Sequence, residues 1–222
     1  MIPEIVHHIV GPKTNQIVDR CLSSWTILRE VGYEIVTWND QDIEVFLKEN
    51  YHFALPGFLH ARNHAEAADI ARYLIIYHYG GHYMDWDVEL LEPNKFLRIA
   101  HKNPDGYFIV DPANGTLASE VFASSPKCEY LLQLSYEIAR LYNSGEIHAL
   151  GTPQYSGPYR MRDFLEIFGT ISQPLIPVKK MFAFDYSEIR NRPKKKVTQP
   201  LIHYWIHSWI KQSANKDKGV KF

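Results

Sequence analysis

An α/β fold is what this sequence predicts, on three observations. Its 222 residues suit one domain, and hydrophobic residues at 45% can fill a sizeable core. Short β-rich runs, Ile2 to Val10 and Tyr33 to Thr37, alternate with stretches of helical periodicity. The segment from His64 to Pro93 then reads as a helix, a glycine break, a short strand and an Asp-Trp-Asp turn.

The central segment carries the chemistry. Ala65, Ala68, Ile70, Ala71, Leu74, Ile75 and Ile76 make its helix mostly apolar, so it should be buried. Asp69 and Arg72 share one face of it, three residues apart, and a buried pair of this kind must find partners. An ion pair that serves only the helix is the plainer alternative. Gly80-Gly81 ends the helix, and His82 to Met84 delivers Asp85 to a strand end, where open α/β sheets hold ligands. Asp85 and Asp87 point to one side with no cation next to them in sequence. A divalent metal such as magnesium or manganese would relieve their repulsion and leave coordination positions for phosphate. A lone Asp-x-Asp is a weak signal; the whole block is a much stronger one.

Along the chain, Ile2 to Val10 reads as a buried first strand. Asn15 or Asp19 caps a helix from Gln16 to about Leu28. Trp38-Asn39-Asp40 closes the second strand at a junction that can face a base or ribose, and a core role for Trp38 stands at equal odds. Ile43, Phe46 and Leu47 line a short helix, and Tyr51 to Phe58 is a loop around Pro56-Gly57. After the Asp-Trp-Asp turn, Leu90 and Leu91 continue a strand with Glu89 exposed. Phe96 to Ile99 is a short helix or turn, Tyr107 to Val110 a strand, Asn114-Gly115 a hairpin and Glu120 to Ala123 the next strand. Glu129 to Tyr142 and Met161 to Phe168 are helices, and Leu175 to Val178 and Met181 to Phe184 are short strands.

A formal charge of −1 gives no global field to recruit nucleic acid or membrane. Cys21 and Cys128 form no metal-ligand spacing, so a reducing compartment is the default, with one long-range disulfide left open. The start, MIPEIVHHIVGPK, lacks a basic region before a long apolar run, and no stretch has the length of a membrane span. The basic run Arg190 to Lys196 is a surface loop that can touch an anionic, lipid-linked acceptor at a membrane. Residues 211–222 form a Lys-rich, frayed tail after a domain spanning 1–210.

The block Ala68-Asp69-Ile70-Ala71-Arg72 followed by Ile76-Tyr77-His78-Tyr79-Gly80-Gly81-His82-Tyr83-Met84-Asp85-Trp86-Asp87-Val88 resembles a known signature. It is that of the glycosyltransferases with a DXD-containing sugar-binding region, of the Och1-like and capsular-polysaccharide type. Ala68 replaces the usual Ser and Trp86 the usual small residue between the aspartates. The opening Ile2-Pro3-Glu4-Ile5-Val6-His7-His8-Ile9-Val10-Gly11 resembles the family's first strand, where Val10 stands for a Trp that helps hold the nucleotide base. Ile9, Val10 and, in its place, Trp38 are therefore the base-side candidates, whereas His7 reads as a core histidine. Gly151 to Pro158 resembles a loop beside the acceptor, although an ordinary Gly/Pro connector is slightly favoured. The end, Leu201-Ile202-His203-Tyr204-Trp205-Ile206-His207-Ser208-Trp209, resembles a tail that folds back over the nucleotide.

The resemblance runs from Ile2 to Trp209, nearly the whole chain, and implies a single GT-A-type domain, Rossmann-like, with a mixed central sheet. It implies a metal-dependent, retaining transfer of galactose, glucose or an N-acetylhexosamine from a nucleotide sugar, most often a uridine diphosphate sugar. The acceptor would be a glycan hydroxyl, free or on a lipid carrier, in surface polysaccharide synthesis. Asp85, Asp87 and His203 would hold Mn²⁺ or Mg²⁺, with His207 a weaker ligand. Asp69 would accept from sugar hydroxyls and Arg72 would reach a sugar hydroxyl or phosphate. Tyr83, Trp86, Ser208 and Trp209 would contact the donor. Eukaryotic relatives commonly carry a Golgi anchor, so the expectation here is a cytoplasmic, bacterial protein, free or at the inner face of the cell membrane. A non-catalytic binder of the same fold, a sugar-nucleotide hydrolase and a nucleotidyltransferase are the competing readings. The intact charged set argues against the first, and the lack of a basic Gly-rich loop argues against the last.

Overall fold

The computed structural model describes residues 1–191 and 196–206. The chain runs β1 (Ile5–Ile9), α1 (Gln16–Ser24), a 3-10 helix (Trp25–Val31), β2 (Glu34–Trp38), α2 (Asp40–Asn50), α3 (Leu55–Leu59) and α4 (His64–Tyr79). It continues through β3 (Gly81–Met84), β4 (Val88–Leu90), α5 (Pro93–Lys102), β5 (Gly106–Val110), β6 (Leu117–Ser124) and α6 (Glu129–Asn143). After a 3-10 turn (Glu146–Ala149) come α7 (Thr152–Tyr155), α8 (Pro158–Phe168), β7 (Leu175–Pro177), α9 (Val178–Met181), α10 (Glu188–Asn191) and β8 (Leu201–His203).

Six strands form a mixed sheet in the order β2-β1-β3-β6-β5-β7. The pairs β1–β2, β1–β3 and β5–β7 are parallel, and β3–β6 and β5–β6 antiparallel. β1 is covered on both faces, with His7 and His8 buried beside its aliphatic residues, as expected of a parallel strand inside an α/β sheet. One core layer packs α4 and α6 against the sheet around Tyr73, Ile75, Phe122 and Leu134. The other face is filled by Trp25, Phe96, Met84 and Val121. β4 and β8 stand apart as a two-stranded antiparallel sheet in which Val88 pairs with His203 and Leu90 with Leu201.

Local chemistry explains most elements. Asn15 caps α1 by accepting from the Ile17 and Val18 amides. Asn39 and Asp42 form a reciprocal capping box at the start of α2. α4 is buried without interruption from Glu66 to Ile76, so its charges are interior ones. It stops at Gly80, whose φ of +69° and contact with Pro126 leave no room for a side chain.

Several expectations change. The first helix gives way after Ser24 to a 3-10 turn, because the Trp25 ring turns into the core and its indole N–H donates to the Val88 carbonyl at 2.8 Å. Part of the Tyr51–Phe58 loop is α3, since Pro56 sits in a first helical turn and is tolerated there. The expected strand Met181 to Phe184 is not formed: Val178–Met181 is a helical turn, and only Phe182 makes a bridge, to Leu201. Glu89 is not a free surface group; it accepts from the Tyr204 hydroxyl and faces Arg20 at 3.4 Å. Among the described residues no helix is long and apolar enough to cross a membrane.

Candidate functional site

A cleft of 510 Å³ opens where β3 ends and α4 begins. Ile9, Asp69, Arg72, Tyr83, Asp85, Trp86, Asp87 and His203 all line it, from segments far apart in sequence. The floor is a chain of alternating charges. Arg72, 4% exposed, lies 3.4 Å from Asp69 and 3.1 Å from Asp85, and donates to the Ser119 carbonyl at 2.7 Å. Its guanidinium also sits 4.6 Å over the Tyr83 ring. The Tyr83 hydroxyl donates to Asp85 Oδ1 at 2.7 Å, and the Ser156 hydroxyl to Asp69 Oδ2 at 2.8 Å. Asp69 and Arg72 thus form the helix-face pair that their spacing allows, and the pair extends outward to the first aspartate of the turn.

Asp87 is held from the other end of the chain. Pairing of β4 with β8 brings His203 Nε2 to 3.2 Å from Asp87 Oδ1, and the Ile206 amide donates to Asp87 Oδ2 at 2.7 Å. Glu120 stands behind His203, with its Oε1 3.7 Å from Nδ1. Two carboxylates and an imidazole therefore converge: one ligand atom from each of Asp85, Asp87 and His203 lies within 4.8 Å of the others. This set could hold a divalent cation: the carboxylates suit manganese or magnesium, and the imidazole tilts the choice away from magnesium.

The electrostatics follow from burial and neighbours. Burial pushes the Asp69 carboxyl up to about 6, against the opposing pull of Arg72 and Ser156. Burial likewise raises Asp85, with Arg72 opposing and Asp87 adding to the rise. Burial works against the charge on Asp87 too, but the His203 imidazolium and the Ile206 amide outweigh it and hold the carboxyl below its usual range. Burial would lower His203; the facing Asp87 and Glu120 overcome that and raise it to about 10. Two neighbouring carboxyls thus move in opposite directions, a mark of functional sites.

The candidates for the nucleoside are divided between two hollows. Val10 and Trp38 line a second cavity of 560 Å³ with Asn39, Asp40 and Gln41. Trp38 is tied into the protein: its indole N–H donates to His7 Nδ1 at 3.1 Å, and its ring packs on Phe46 and Tyr79. His7 is a buried core histidine, bonded also to the Gly80 carbonyl at 3.1 Å. Trp86 lies between the hollows. It lines the main cleft, and its ring edge rests so closely on Gly11 that a Cβ there would meet it at 3.0 Å. Thr152, Pro153 and Gly157 line the opposite wall. Glu66 holds that wall to α4 by accepting from the Thr152 hydroxyl at 2.8 Å while Arg62 pairs with it.

His207, Ser208 and Trp209, and the tail 211–222, lie outside the described residues, as do 192–195 of the basic run. Sequence reasoning missed Ser119, Glu120, Ser156 and Trp205, all at this site. Ser156 and Trp205 fall within the segments Gly151–Pro158 and Leu201–Trp209, which the sequence singles out without naming them, whereas Ser119 and Glu120 sit in no local pattern that marks them.

Comparison with known proteins bears on this geometry. Residues 15–107 match the model of the glycosyltransferase sugar-binding region containing a DXD motif. The chain is 29% identical over 151 residues to inositol phosphoceramide mannosyltransferase 1 of Schizosaccharomyces pombe, covering 63% of this chain and 43% of that protein. It is 33% identical over 89 residues to mannosyl phosphorylinositol ceramide synthase CSH1 of Saccharomyces cerevisiae, covering 39% of this chain and 23% of that one. The chain thus spans less than half the length of these relatives. Among solved structures, the PaToxG glycosyltransferase superposes with a TM-score of 0.53 at 15% identity, over 75% of this chain and 70% of that one. A glycosyltransferase involved in glycosylating the major capsid of PBCV-1 gives 0.51 at 12% identity, over 95% and 96%. At these identities the likeness concerns the fold, which is of the GT-A type with a mixed six-stranded sheet.

Proposed function

From the match of residues 15–107 to the model of the glycosyltransferase sugar-binding region containing a DXD motif, we propose that this chain transfers a hexose from a nucleotide sugar to a hydroxyl of a glycan or glycolipid, with a divalent ion and with retention at the anomeric carbon. The observation that carries the reading is the convergence of Asp85, Asp87 and His203 at the end of β3, beside the Asp69–Arg72 pair. Similarity to the two yeast proteins favours mannose as the hexose and a phosphoinositol-bearing lipid as the acceptor. A lipid acceptor would require work at a membrane surface.

When bound, the ion would act as a Lewis acid toward the departing diphosphate. The residues themselves do the rest. Asp85, Asp87 and His203 would hold the ion. Arg72, fixed by Asp69, Asp85 and Ser119, offers a positive charge that needs no reorganisation as negative charge grows nearby. Asp69 would accept from sugar hydroxyls, and its bond to Ser156 fixes its orientation. Tyr83 is spent on Asp85, so its part is to orient that carboxylate. Trp86 and Ile9 provide apolar cover inside the cleft. In a retaining transfer the acceptor hydroxyl can attack from the side of the leaving group, so no enzyme base is assigned.

A thermal-shift screen of UDP- and GDP-sugars, with and without Mn²⁺, tests the reading. One sugar nucleotide should stabilise the protein only when metal is present, by RT ln(1 + [L]/Kd). A melting temperature indifferent to every donor in the presence of metal would sink it.

A further inference from the structure

The β6 residues Ser119 and Glu120 form the back wall of the charged cluster. The Ser119 carbonyl accepts from Arg72, and the Glu120 carbonyl accepts from the Asp85 amide at 2.9 Å. The Glu120 backbone is therefore fixed beside the turn that carries both aspartates. Its side chain, 17% exposed, is directed at His203.

His203 has one ring nitrogen committed and one not. Nε2 faces Asp87 at 3.2 Å. Nδ1 is fully enclosed and makes no hydrogen bond among the described residues. An unpaired buried polar atom is costly, and in native proteins it calls for a reason. Apolar rings flank the imidazole, Trp205 at 4.2 Å and Phe182 at 5.9 Å between ring centres, and they offer Nδ1 no acceptor. Among the described residues, the carboxylate of Glu120 is the charged group within reach of it, at 3.7 Å. Closing that gap to an ordinary N–H···O distance takes a movement of about 0.8 Å.

We propose that Glu120 is a positioning residue for the metal site: its carboxylate accepts the Nδ1 proton of His203, so that the ring keeps its proton on that side and turns the Nε2 lone pair toward the ion shared with Asp85 and Asp87. The inference rests on the metal reading given above. A histidine that binds metal through one nitrogen gains basicity and a fixed tautomer when the other donates to a carboxylate, and loss of that carboxylate typically weakens metal binding about 10–100-fold. Glu120 thereby serves the site twice, through its carbonyl on Asp85 and through its side chain on His203. Only the second role can be removed by substitution.

The test is a calorimetric Mn²⁺ titration of the full chain, without any sugar nucleotide, in wild type, Glu120→Leu and Glu120→Gln, with urea unfolding in EDTA as the fold control. Wild type should bind one Mn²⁺. Glu120→Leu should bind it about 10–100-fold more weakly at little change in the EDTA unfolding midpoint. Glu120→Gln, whose amide oxygen still accepts from Nδ1, should recover part of the loss. In long-range ¹H–¹⁵N spectra of the Mg²⁺-loaded protein, His203 should be protonated on Nδ1 in wild type and lose that single tautomer in Glu120→Leu. Wild-type Mn²⁺ affinity and an unchanged tautomer in Glu120→Leu would overturn this proposal while leaving the metal reading standing. Failure of wild type itself to bind Mn²⁺ would overturn both.

Discussion

Replacing Arg72 by Met tests whether the floor of the cleft is electrostatic or only packed. The guanidinium lies 3.4 Å from Asp69 and 3.1 Å from Asp85, and all but 4% of it is buried. At an effective dielectric of about 20, each contact is worth about 5 kcal/mol of attraction. Removing the cation also removes its own desolvation cost, so the net loss should be smaller, about 3–5 kcal/mol, as for other broken buried pairs. Methionine fills most of the volume, which keeps the packing term small. The sign with pH separates the two causes. Asp69 sits at about 6 even with Arg72 beside it, and without the cation its folded-state value rises further. The folded chain then binds a proton that the unfolded chain does not, so the variant regains stability as pH falls. Urea unfolding of wild type and variant at pH 8 and pH 5.5 should show the full penalty at pH 8 and a gap narrowed by at least about 1 kcal/mol at pH 5.5. A penalty below about 1 kcal/mol, or one equal at both pH values, would refute an electrostatic floor.

Other outcomes can be stated briefly. Asp87→Asn should abolish Mn²⁺-dependent stabilisation and lower turnover at least about 100-fold, the equivalent of nearly 3 kcal/mol of barrier; chelator-resistant turnover near the wild-type rate would contradict the metal role. Ser156→Ala removes a hydrogen bond to the Asp69 carboxylate. It should cost about 1.5–3 kcal/mol in unfolding free energy and raise the donor KM more than it lowers kcat. Glu66→Gln keeps the Thr152 contact but loses the Arg62 ion pair, so it should be milder than Glu66→Ala, with circular-dichroism melts ranking the two. Gly106→Ala should destabilise by more than about 3 kcal/mol, since φ is +117° and a Cβ would meet the Ala123 carbonyl at 2.3 Å; a wild-type urea midpoint would be inconsistent with that strand contact.

What sequence could show depended on range. The helix from His64, the glycine break and the Asp-Trp-Asp turn were legible because period, cap and motif lie within one continuous stretch. Asn114-Gly115 announced its hairpin for the same reason, and the β5–β6 pairing follows it. Met181 to Phe184 misled because its aromatics have strand propensity, yet its pairing stops at a single bridge, Phe182 with Leu201, where the Ala183 amide donates to the Leu201 carbonyl. Glu89 looked like the outward position of an alternating strand; pairing with β8 covers it with Tyr204. Glu120 was invisible for a related reason. A single carboxylate in an alternating strand reads as solvated, and only the register of β6 against β3 turns it toward His203. The balance between a base-side and a core role for Trp38 was not decidable from its neighbours in sequence, because His7 and Tyr79 reach it through the fold.

The two-stranded β4–β8 sheet has a consequence for any shortened form of this protein. The matched stretch 15–107 contains both aspartates, but the imidazole that faces them comes from residue 203. A fragment ending before Leu201 would keep the recognisable signature and lose a third of the converging donors, together with the strand that braces the turn between them. During synthesis, likewise, the proposed dication seat stays unfinished until a stretch more than a hundred residues downstream of the second aspartate has emerged and docked.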